Sequence, residues 1–539
     1  MYLFENPVLQ RELVTNLRTT RGFVLLAAYV GFLGLLVYAA WPAEQRLDMA
    51  SSEEAKKLVD LFFLGQYLLM SLMAPSFAAG AITGEKERKS FEMLMASPVK
   101  PGAIVLGKLA SAMIPLAELM ICSLPIVMLC LPLGGAHPFE VFAAYFAMIS
   151  SVSLFGMVSL WCSSFFSRTS ASLAVSYLLI LPLAMVGVLI WQALDQLGEA
   201  RLLVVFTVVP VVCGSIGVLL WADTSRRLLQ SPELGSDGKQ VVDLETEAEE
   251  AVGLYISREE FPDRLFAPPK RTTFLPDNAN PIYDKEIRSE IFSQGTLMLR
   301  LVIQMSMLIA LPVMAFCLYL WPHLAAWYIA YVLLFNMLVG PVFSAGSVTS
   351  ERERQTLDLL LTTLITPWQM LWGKLFSGLR VSSVLSSFLM WPVLLACIMP
   401  LEYWHNLPTM IGYFLVFATT CVTTAMTALF CSTLFRKSET SLMVTYLIII
   451  TLFLGPVAAD LFVNSFLADS NVVEVMQYAE YSSPFAAIFN LPLTIENAPP
   501  SAPAVTSVFW GHLGFSVVYN VGLLLGTMWL FQMRWRVSE

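Results

Sequence analysis

The chain has 539 residues, of which 57% are hydrophobic and only 13% are charged, and its net charge at pH 7 is -9. A water-soluble globule could not bury so large an apolar fraction, so the composition excludes a soluble protein and indicates a membrane protein.

Long apolar stretches recur along the whole chain. A helix needs about 20 apolar residues to cross a hydrocarbon layer of about 30 Å. Twelve stretches meet this requirement, six in each half. Those in the first half are residues 23–41, 59–82, 103–133, 139–166, 171–194 and 202–222. Those in the second half are residues 297–321, 325–349, 368–399, 407–435, 438–467 and 507–532. We therefore expect an all-α polytopic membrane protein with about twelve transmembrane helices.

The distribution of Lys and Arg predicts the orientation, because basic flanks are retained on the cytoplasmic side. A cytoplasmic N-terminus leaves only four of the 31 basic residues outside, namely Arg46, Lys56, Lys57 and Arg201. An even number of spans then returns the C-terminus to the cytoplasm. The polar stretch before the first span is too long and too mixed in charge for a signal peptide, so we expect it to be retained.

The sequence also repeats itself. Three segments of the first half recur in the same order in the second: 6–13 as 280–287, 84–109 as 350–375, and 165–178 as 434–447. Ordered matches of this kind indicate a duplicated unit. Because each unit has an even number of spans, the repeats are parallel, an arrangement that tends to enclose a pathway between the halves.

The repeats divide the chain into three predicted parts. Residues 1–222 and 280–539 form the two membrane halves, and the second half carries a long extracellular loop at 468–506. Residues 223–279 hold twelve acidic against seven basic residues. We interpret this stretch as an acidic cytoplasmic linker, with a regulatory or partner-docking segment as the alternative.

A charged segment follows the second span of each half, at residues 85–97 and 351–363. We call these the charged segments. In each, acidic and basic residues precede apolar residues at helical spacing, which predicts a short amphipathic cytoplasmic helix with its acidic residues near the N-terminus. Such a helix could lie on the lipid headgroups. Its presence at the same place in both halves favours a docking surface for another protein.

Residues 102–109, GAIVLGKL, have the Gly and Gly-Lys spacing of a phosphate-binding loop. That loop requires Ser or Thr after the Lys, whereas Leu109 follows Lys108 here. The second copy, WQMLWGKL, keeps Gly373 and Lys374 but has Trp368 in place of the first Gly. We therefore expect no nucleotide site, and we interpret both lysines as anchors at the cytoplasmic boundary.

At these residues the chain resembles the membrane subunits of type-2 ABC exporters, the ABC-2 permease superfamily. That family has a six-span unit, an amphipathic N-terminal connecting helix, and a Glu-rich coupling helix between its second and third spans. The corresponding segments here are 6–21 and 280–296 for the connecting helices, and the two charged segments for the coupling helices. The resemblance implies a fused permease, with both membrane halves in one chain, that works with a pair of separate cytoplasmic ATPase subunits.

The resemblance also assigns roles to residues of the charged segments. It implies that movement of the ATPases pushes these segments and switches the bundle between inward-open and outward-open arrangements. Polar contacts or helix caps at the ATPase interface are expected from Glu85, Glu87, Arg88, Glu92, Glu351, Glu353, Arg354 and Asp358. An apolar anchor is expected from Phe91, Leu94, Leu357 and Leu360.

Glu118 is an ionisable residue about 22 Å along the third span, at about 1.5 Å per residue. Charged groups inside spans are costly and are therefore candidate functional sites. The matching residue of the second half is Val384, so a role of Glu118 is not duplicated. Three interpretations remain open: a structural role with Glu118 protonated or hydrogen-bonded to a neighbouring span, a contact with a cationic group in a cavity, and a misplaced boundary of the predicted span.

Other classes of function remain possible. An ion-coupled secondary transporter can have twelve spans as two parallel repeats, although paired intramembrane acids are missing here. An intramembrane enzyme is disfavoured because the motifs of metalloproteases and serine hydrolases are absent. A non-transporting membrane scaffold is the third alternative.

The chain itself is not expected to be an enzyme, and we expect no catalytic residue, metal or cofactor in it, since partner subunits would bind ATP. Its partners would be ATPase subunits, membrane lipid and an unidentified substrate, with no nucleic acid. The apolar spans favour an amphipathic substrate. The location implied by the resemblance is the bacterial plasma (inner) membrane.

Overall fold

The computed structural model describes most of both predicted membrane halves. The described residues are 7, 9–11, 27, 29, 31, 34, 52–130, 138–166, 169–194, 200–229, 279–288, 296–317, 325–353, 355–398, 406–436, 438–466, 478–491 and 506–534. The chain divides into two compact units, Met1–Ser257 and Arg258–Glu539, and the division falls within the predicted linker.

The described residues form helices and no strands. Those of the first unit are α1 (Ser52–Ala78), α2 (Gly80–Glu87), α3 (Phe91–Met95), α4 (Pro101–Cys130), α5 (Pro138–Phe165), α6 (Thr169–Leu194) and α7 (Ala200–Leu229). Those of the second unit are α8 (Pro281–Arg288), α9 (Thr296–Ala315), α10 (Ala325–Ser344), α11 (Thr349–Glu353), α12 (Leu357–Leu361), α13 (Pro367–Ile398), α14 (Leu407–Leu434), α15 (Ser438–Phe466), α16 (Pro484–Phe489) and α17 (Thr506–Arg534).

Ten helical stretches of the described residues are long and apolar enough to cross a membrane. They lie at the positions of ten of the twelve predicted spans. Of the other two, the span at 23–41 falls almost entirely outside the described residues, and the span at 297–321 contains α9. The prediction of an all-α polytopic membrane protein is therefore confirmed, and the total of twelve spans stays a prediction.

One helix is central in each unit. In the first unit α5 contacts α1, α4, α6 and α7, and in the second unit α14 contacts α10, α13, α15 and α17. The helices that end the units, α7 and α17, instead expose many apolar side chains, among them Val211, Leu219, Val518 and Leu525. Such apolar exposure is expected of helices that face lipid.

The long predicted loop at 468–506 contains ordered structure. Residues 478–491 include α16, a two-turn helix whose residues Pro484 to Ile488 are buried. The rest of this loop and the linker beyond Leu229 lie outside the described residues.

Candidate functional site

Each charged segment is broken into two helices rather than forming the single amphipathic helix that the sequence predicts. The first break follows Glu87, where Lys89 adopts a φ of 55°, and the second follows Glu353, where Gln355 adopts a φ of 58°. In both places the chain closes a Schellman motif, since Ser90 N–H bonds the Glu85 carbonyl and Thr356 N–H bonds the Glu351 carbonyl. Glu85, Glu87, Glu351 and Glu353 thus precede the break, and only Glu92 and Asp358 lie in the helix that follows it.

The last carboxylate of each broken helix caps another helix of the same unit. Glu87 Oε1 accepts the backbone N–H of Thr169 at 2.7 Å and its hydroxyl at 3.1 Å. Glu353 Oε1 accepts the backbone N–H of Ser438 at 2.8 Å, and Oε2 accepts its hydroxyl at 2.9 Å. Thr169 and Ser438 begin α6 and α15, so each carboxylate lies at the positive end of a helix dipole.

The cation next to this carboxylate, Lys86 or Arg352, caps the C-terminal end of the preceding long helix of its unit, α5 or α14. Lys86 Nζ donates to the carbonyls of Ser164 and Phe166, at 2.6 and 3.0 Å, where α5 ends. Arg352 Nη1 donates to the carbonyl of Phe435 at 2.6 Å, where α14 ends. Two adjacent residues, a cation and a carboxylate, therefore bind the end of one helix and the start of the next, at the α5–α6 connection in the first unit and the α14–α15 connection in the second.

The first residue of each charged segment, Glu85 or Glu351, forms an ion pair with a buried lysine. Lys108 Nζ lies 3.4 Å from Glu85 Oε1, and Lys374 Nζ lies 3.4 Å from Glu351 Oε1. Only 3% of the Lys108 side chain and 1% of the Lys374 side chain are exposed. The interpretation of these lysines as boundary anchors is therefore wrong, because an anchoring side chain must extend to the headgroups. We call residues 85–87 and 351–353, with the contacts described, the first and second clasp.

A serine of the central helix completes each clasp. Ser163 Oγ accepts the backbone N–H groups of Ile82 and Thr83, at 3.1 and 3.0 Å. Ser432 Oγ accepts those of Val348 and Thr349, at 2.9 and 3.1 Å. These N–H groups lie near the starts of α2 and α11, so each serine ties the central helix of its unit to the helix that ends in the clasp.

The second clasp is also joined to helix α8. Lys374 Nζ lies 2.9 Å from Glu286 Oε1, and Lys285 Nζ lies 2.9 Å from Glu351 Oε1. Glycine at position 373 permits this contact, since a Cβ there would lie 3.0 Å from Ile282 Cβ and from the Tyr283 backbone nitrogen. The Gly-Lys pair thus serves helix packing and charge pairing.

The apolar residues of the charged segments divide between the core and the surface. Phe91 and Leu357 are only 5% and 2% exposed and belong to the hydrophobic cores of their own units. Little of either side chain is exposed, and their role as apolar anchors for a partner stays a prediction. Met93 and Leu359, at matching positions two residues later, are 78% and 67% exposed.

The other predicted interface residues have varied environments. Arg88 and Glu92 are exposed, whereas Leu94 and Leu360 are half-buried. Arg354 lies outside the described residues, as does the side chain of Asp358. A role of any of these residues in binding a partner stays a prediction.

Glu118 lies in α4 and is half-buried. Within the described part of the chain the structure gives its carboxylate no hydrogen-bond or ion-pair partner, so a fixed structural role has no contact to support it. In the same part of the chain, no cluster of His, Cys, Asp and Glu could hold a metal ion.

Sequence reasoning missed several members of the clasps. Lys86 and Arg352 are matched cations in the repeat, and Ser163 and Ser432 lie two residues before its third matched segment. The repeat pairs these positions, but only the folded structure shows which carbonyl and N–H groups lie within their reach.

A family model described as ABC-2 family transporter protein matches the chain twice, at residues 7–218 and 201–534. Comparison with curated proteins and with solved structures gives no significant match. The two family matches each cover one of the units that contain a clasp.

Proposed function

Because this chain belongs to the ABC-2 transporter family, we propose that it is the membrane permease subunit of an ATP-binding-cassette exporter. A family match over most of the chain makes it an integral, multi-pass component of membrane transport. The proposal adds that transport is export, that separate cytoplasmic ATPase subunits drive it, and that the membrane is the bacterial plasma membrane.

The observation that carries the proposal is the duplicated clasp. Two short helices, α3 and α12, follow the clasps and present Met93 and Leu359 to solvent. An exposed apolar side chain ringed by polar residues is typical of the centre of a protein interface. We propose that one ATPase subunit docks on each of these helices, with Met93 and Leu359 as the apolar anchors.

The clasp gives this docking site a mechanical connection to the membrane helices. Movement of α12 would be transmitted to the second clasp. There Glu353 binds the start of α15, Arg352 binds the end of α14, and Glu351 pairs with Lys374 of α13. The first clasp holds α6, α5 and α4 in the same way. Movement of an ATPase would therefore shift the ends of three spans together in each unit.

In this proposal ATP is bound and hydrolysed only by the partner subunits, and the chain carries no cofactor of its own. The substrate would be amphipathic, because the spans are apolar. Glu118 is a candidate contact for a cationic group of that substrate, since its carboxylate lies along α4 without an assigned partner among the described residues.

The experiment compares Met93→Glu/Leu359→Glu with wild type in a strain that co-expresses a candidate ATPase subunit which co-purifies with the wild-type chain. We expect the double variant to reach the membrane normally but to lose most of the co-purifying ATPase and its substrate-stimulated activity. Leu229→Glu is the matched control, because Leu229 is 70% exposed at the end of α7 and lies outside both charged segments. Equal ATPase recovery from the double variant and from the control would refute the proposed docking sites.

A further inference from the structure

Polar side chains from several helices meet inside the first unit. Gln66 of α1, Ser123 of α4 and Tyr145 of α5 are 1%, 0% and 6% exposed, and Tyr29 lies in the first predicted span. Gln66 Nε2 donates to Ser123 Oγ at 2.6 Å, and the Tyr145 hydroxyl lies 2.8 Å from the same oxygen. We call these four residues the polar cluster.

Ser123 has no further hydrogen-bonding capacity. Its own proton goes to the Met120 carbonyl, at 2.7 Å. A hydroxyl group has one donor and two acceptor lone pairs, so Ser123 accepts from both Gln66 and Tyr145. The proton of Tyr145 is thereby used as well. Neither hydroxyl can therefore donate to the side-chain carbonyl oxygen of Gln66.

Two oxygens of the polar cluster remain without a partner. Gln66 Oε1 and the Tyr29 hydroxyl are buried, and among the described residues neither has a hydrogen-bond partner. Gln66 and Ser123 lie close to the Tyr29 hydroxyl, but not at the distance and angle of a hydrogen bond. Turning the Gln66 amide would only exchange an unpartnered acceptor for an unpartnered donor. The polar cluster is therefore unsatisfied in either orientation of the amide.

The second unit has apolar residues at the matching positions. They are Val332 for Gln66, Leu389 for Ser123 and Phe414 for Tyr145. The match of α1 with α10 places Pro75 on Pro341, and α5 and α14 both have 28 residues and end where the third matched segment begins. Val332 and Leu389 are fully buried. Apolar side chains can thus fill these positions, so helix packing alone does not account for the polar cluster.

We propose that the polar cluster binds a water molecule between Gln66 and Tyr29. The water donates to Gln66 Oε1 and accepts the proton of the Tyr29 hydroxyl. Buried waters take up polar groups that the chain itself leaves unsatisfied, and a polar gap too wide for a direct bond is typical of a bridging water. The first unit is then joined to its first span through this water.

Charge and burial favour water over a transported substrate at this site. All four members of the polar cluster are uncharged, which disfavours an ion as the ligand. Three of them are almost fully buried, which favours a ligand as small as water. The inference concerns the first unit alone and does not require the proposed ATPase partners.

X-ray radiolysis of the full chain in lipid nanodiscs tests the proposal. Irradiation forms hydroxyl radicals from water, and a radical formed inside the protein oxidises the side chain next to it. The readout is the oxidation rate of Tyr145 by mass spectrometry. Tyr177 is the internal reference, because it is 2% exposed and its hydroxyl already lies 2.8 Å from both Ser76 Oγ and the Leu72 carbonyl. We expect Tyr145 to be oxidised several times faster than Tyr177.

Two variants each remove one partner of the water. Gln66→Leu replaces the amide by an apolar side chain of similar size, and Tyr29→Phe removes a single hydroxyl group. In each variant we expect the excess oxidation of Tyr145 to be lost, so that its rate falls to that of Tyr177. A loosened unit would instead raise the rate of Tyr177, which separates loss of the water from misfolding.

Ser76→Ala is the matched control, since it removes a hydroxyl from the same helix as Gln66 but outside the polar cluster. It should leave the oxidation of Tyr145 at the wild-type rate. Equal rates for Tyr145 and Tyr177 in the wild type would overturn the proposal. So would wild-type oxidation of Tyr145 in both Gln66→Leu and Tyr29→Phe.

Discussion

Glu353 caps the helix that begins at Ser438, accepting the backbone N–H of that residue at 2.8 Å and its hydroxyl at 2.9 Å. Glu87 makes the same two bonds with Thr169 at the start of α6. The repeated Glu is therefore engaged within its own unit, although its position in an exposed turn suggests a residue available to a partner. The repeat preserves a connection between the turn and a membrane helix.

The first prediction concerns this cap. Glu353→Ala and Glu87→Ala each remove the acceptor of an orphan N–H and a charge at the helix terminus, so each should destabilise its unit by about 1 kcal/mol. Thermal unfolding in detergent measures the change. Glu92→Ala is the control, because Glu92 is exposed in α3, and its effect should stay within about 0.5 kcal/mol. Equal midpoints for all three variants would contradict the capping role.

The membrane helices could be predicted from sequence because their signal is one of length and composition. An apolar stretch such as 407–435 permits no alternative to a buried or lipid-facing helix, and α14 occupies it almost to the residue. The internal repeat could also be found from the sequence, because matched segments such as 84–109 and 350–375 share the same residues at corresponding positions and are recognised without any structural information.

The break in each charged segment could not be predicted in this way. Helix ends with a left-handed residue are usually marked by Gly, but Lys89 and Gln355 hold that position here. Within α3 and α12 the side chains two residues apart point to nearly opposite sides of the helix. Phe91 and Leu357 face the cores of their units, and Met93 and Leu359 are exposed.

The second prediction concerns the buried lysine of the second clasp. Lys374→Met leaves the carboxylates of Glu286 and Glu351 without their buried cation and should destabilise the second unit by about 3 kcal/mol. Lys285→Met removes a cation that is 52% exposed, so the cost should stay below about 1 kcal/mol. Both changes are read from thermal unfolding of the full chain. A larger loss for Lys285→Met than for Lys374→Met would show that burial does not determine the strength of this cluster.

The third prediction uses two glycines in different surroundings. Gly373→Ala places a Cβ 3.0 Å from Ile282 Cβ and the Tyr283 nitrogen, so α8 must move and stability should fall by about 1–3 kcal/mol. Gly84→Ala meets nothing within 4 Å in the middle of α2 and should raise stability by about 0.5 kcal/mol or more. Cross-linking between cysteines placed in α8 and α13 reports the displacement directly. Unchanged cross-linking in Gly373→Ala would mean that α8 tolerates the extra methyl group.

The fourth prediction separates folding from docking within a single five-residue helix. Phe91 is buried and Met93 is exposed in α3, and Leu357 and Leu359 repeat this arrangement in α12. Phe91→Ala removes core packing and should cost about 3–5 kcal/mol, with Leu357→Ala close behind. Met93→Ala and Leu359→Ala should change stability by less than about 0.5 kcal/mol.

The same four variants should rank in the opposite order for partner binding once the fraction of folded protein is taken into account. Truncating an exposed apolar anchor removes contact area that forms only in the complex, so Met93→Ala and Leu359→Ala should each weaken ATPase binding at least tenfold, or by about 1.4 kcal/mol. Titration of purified ATPase against the chain in nanodiscs gives these affinities. If Phe91→Ala instead reduced the affinity of its folded fraction as strongly as Met93→Ala, the docking surface would include the core-facing side of α3, and the division between folding and docking residues would be wrong.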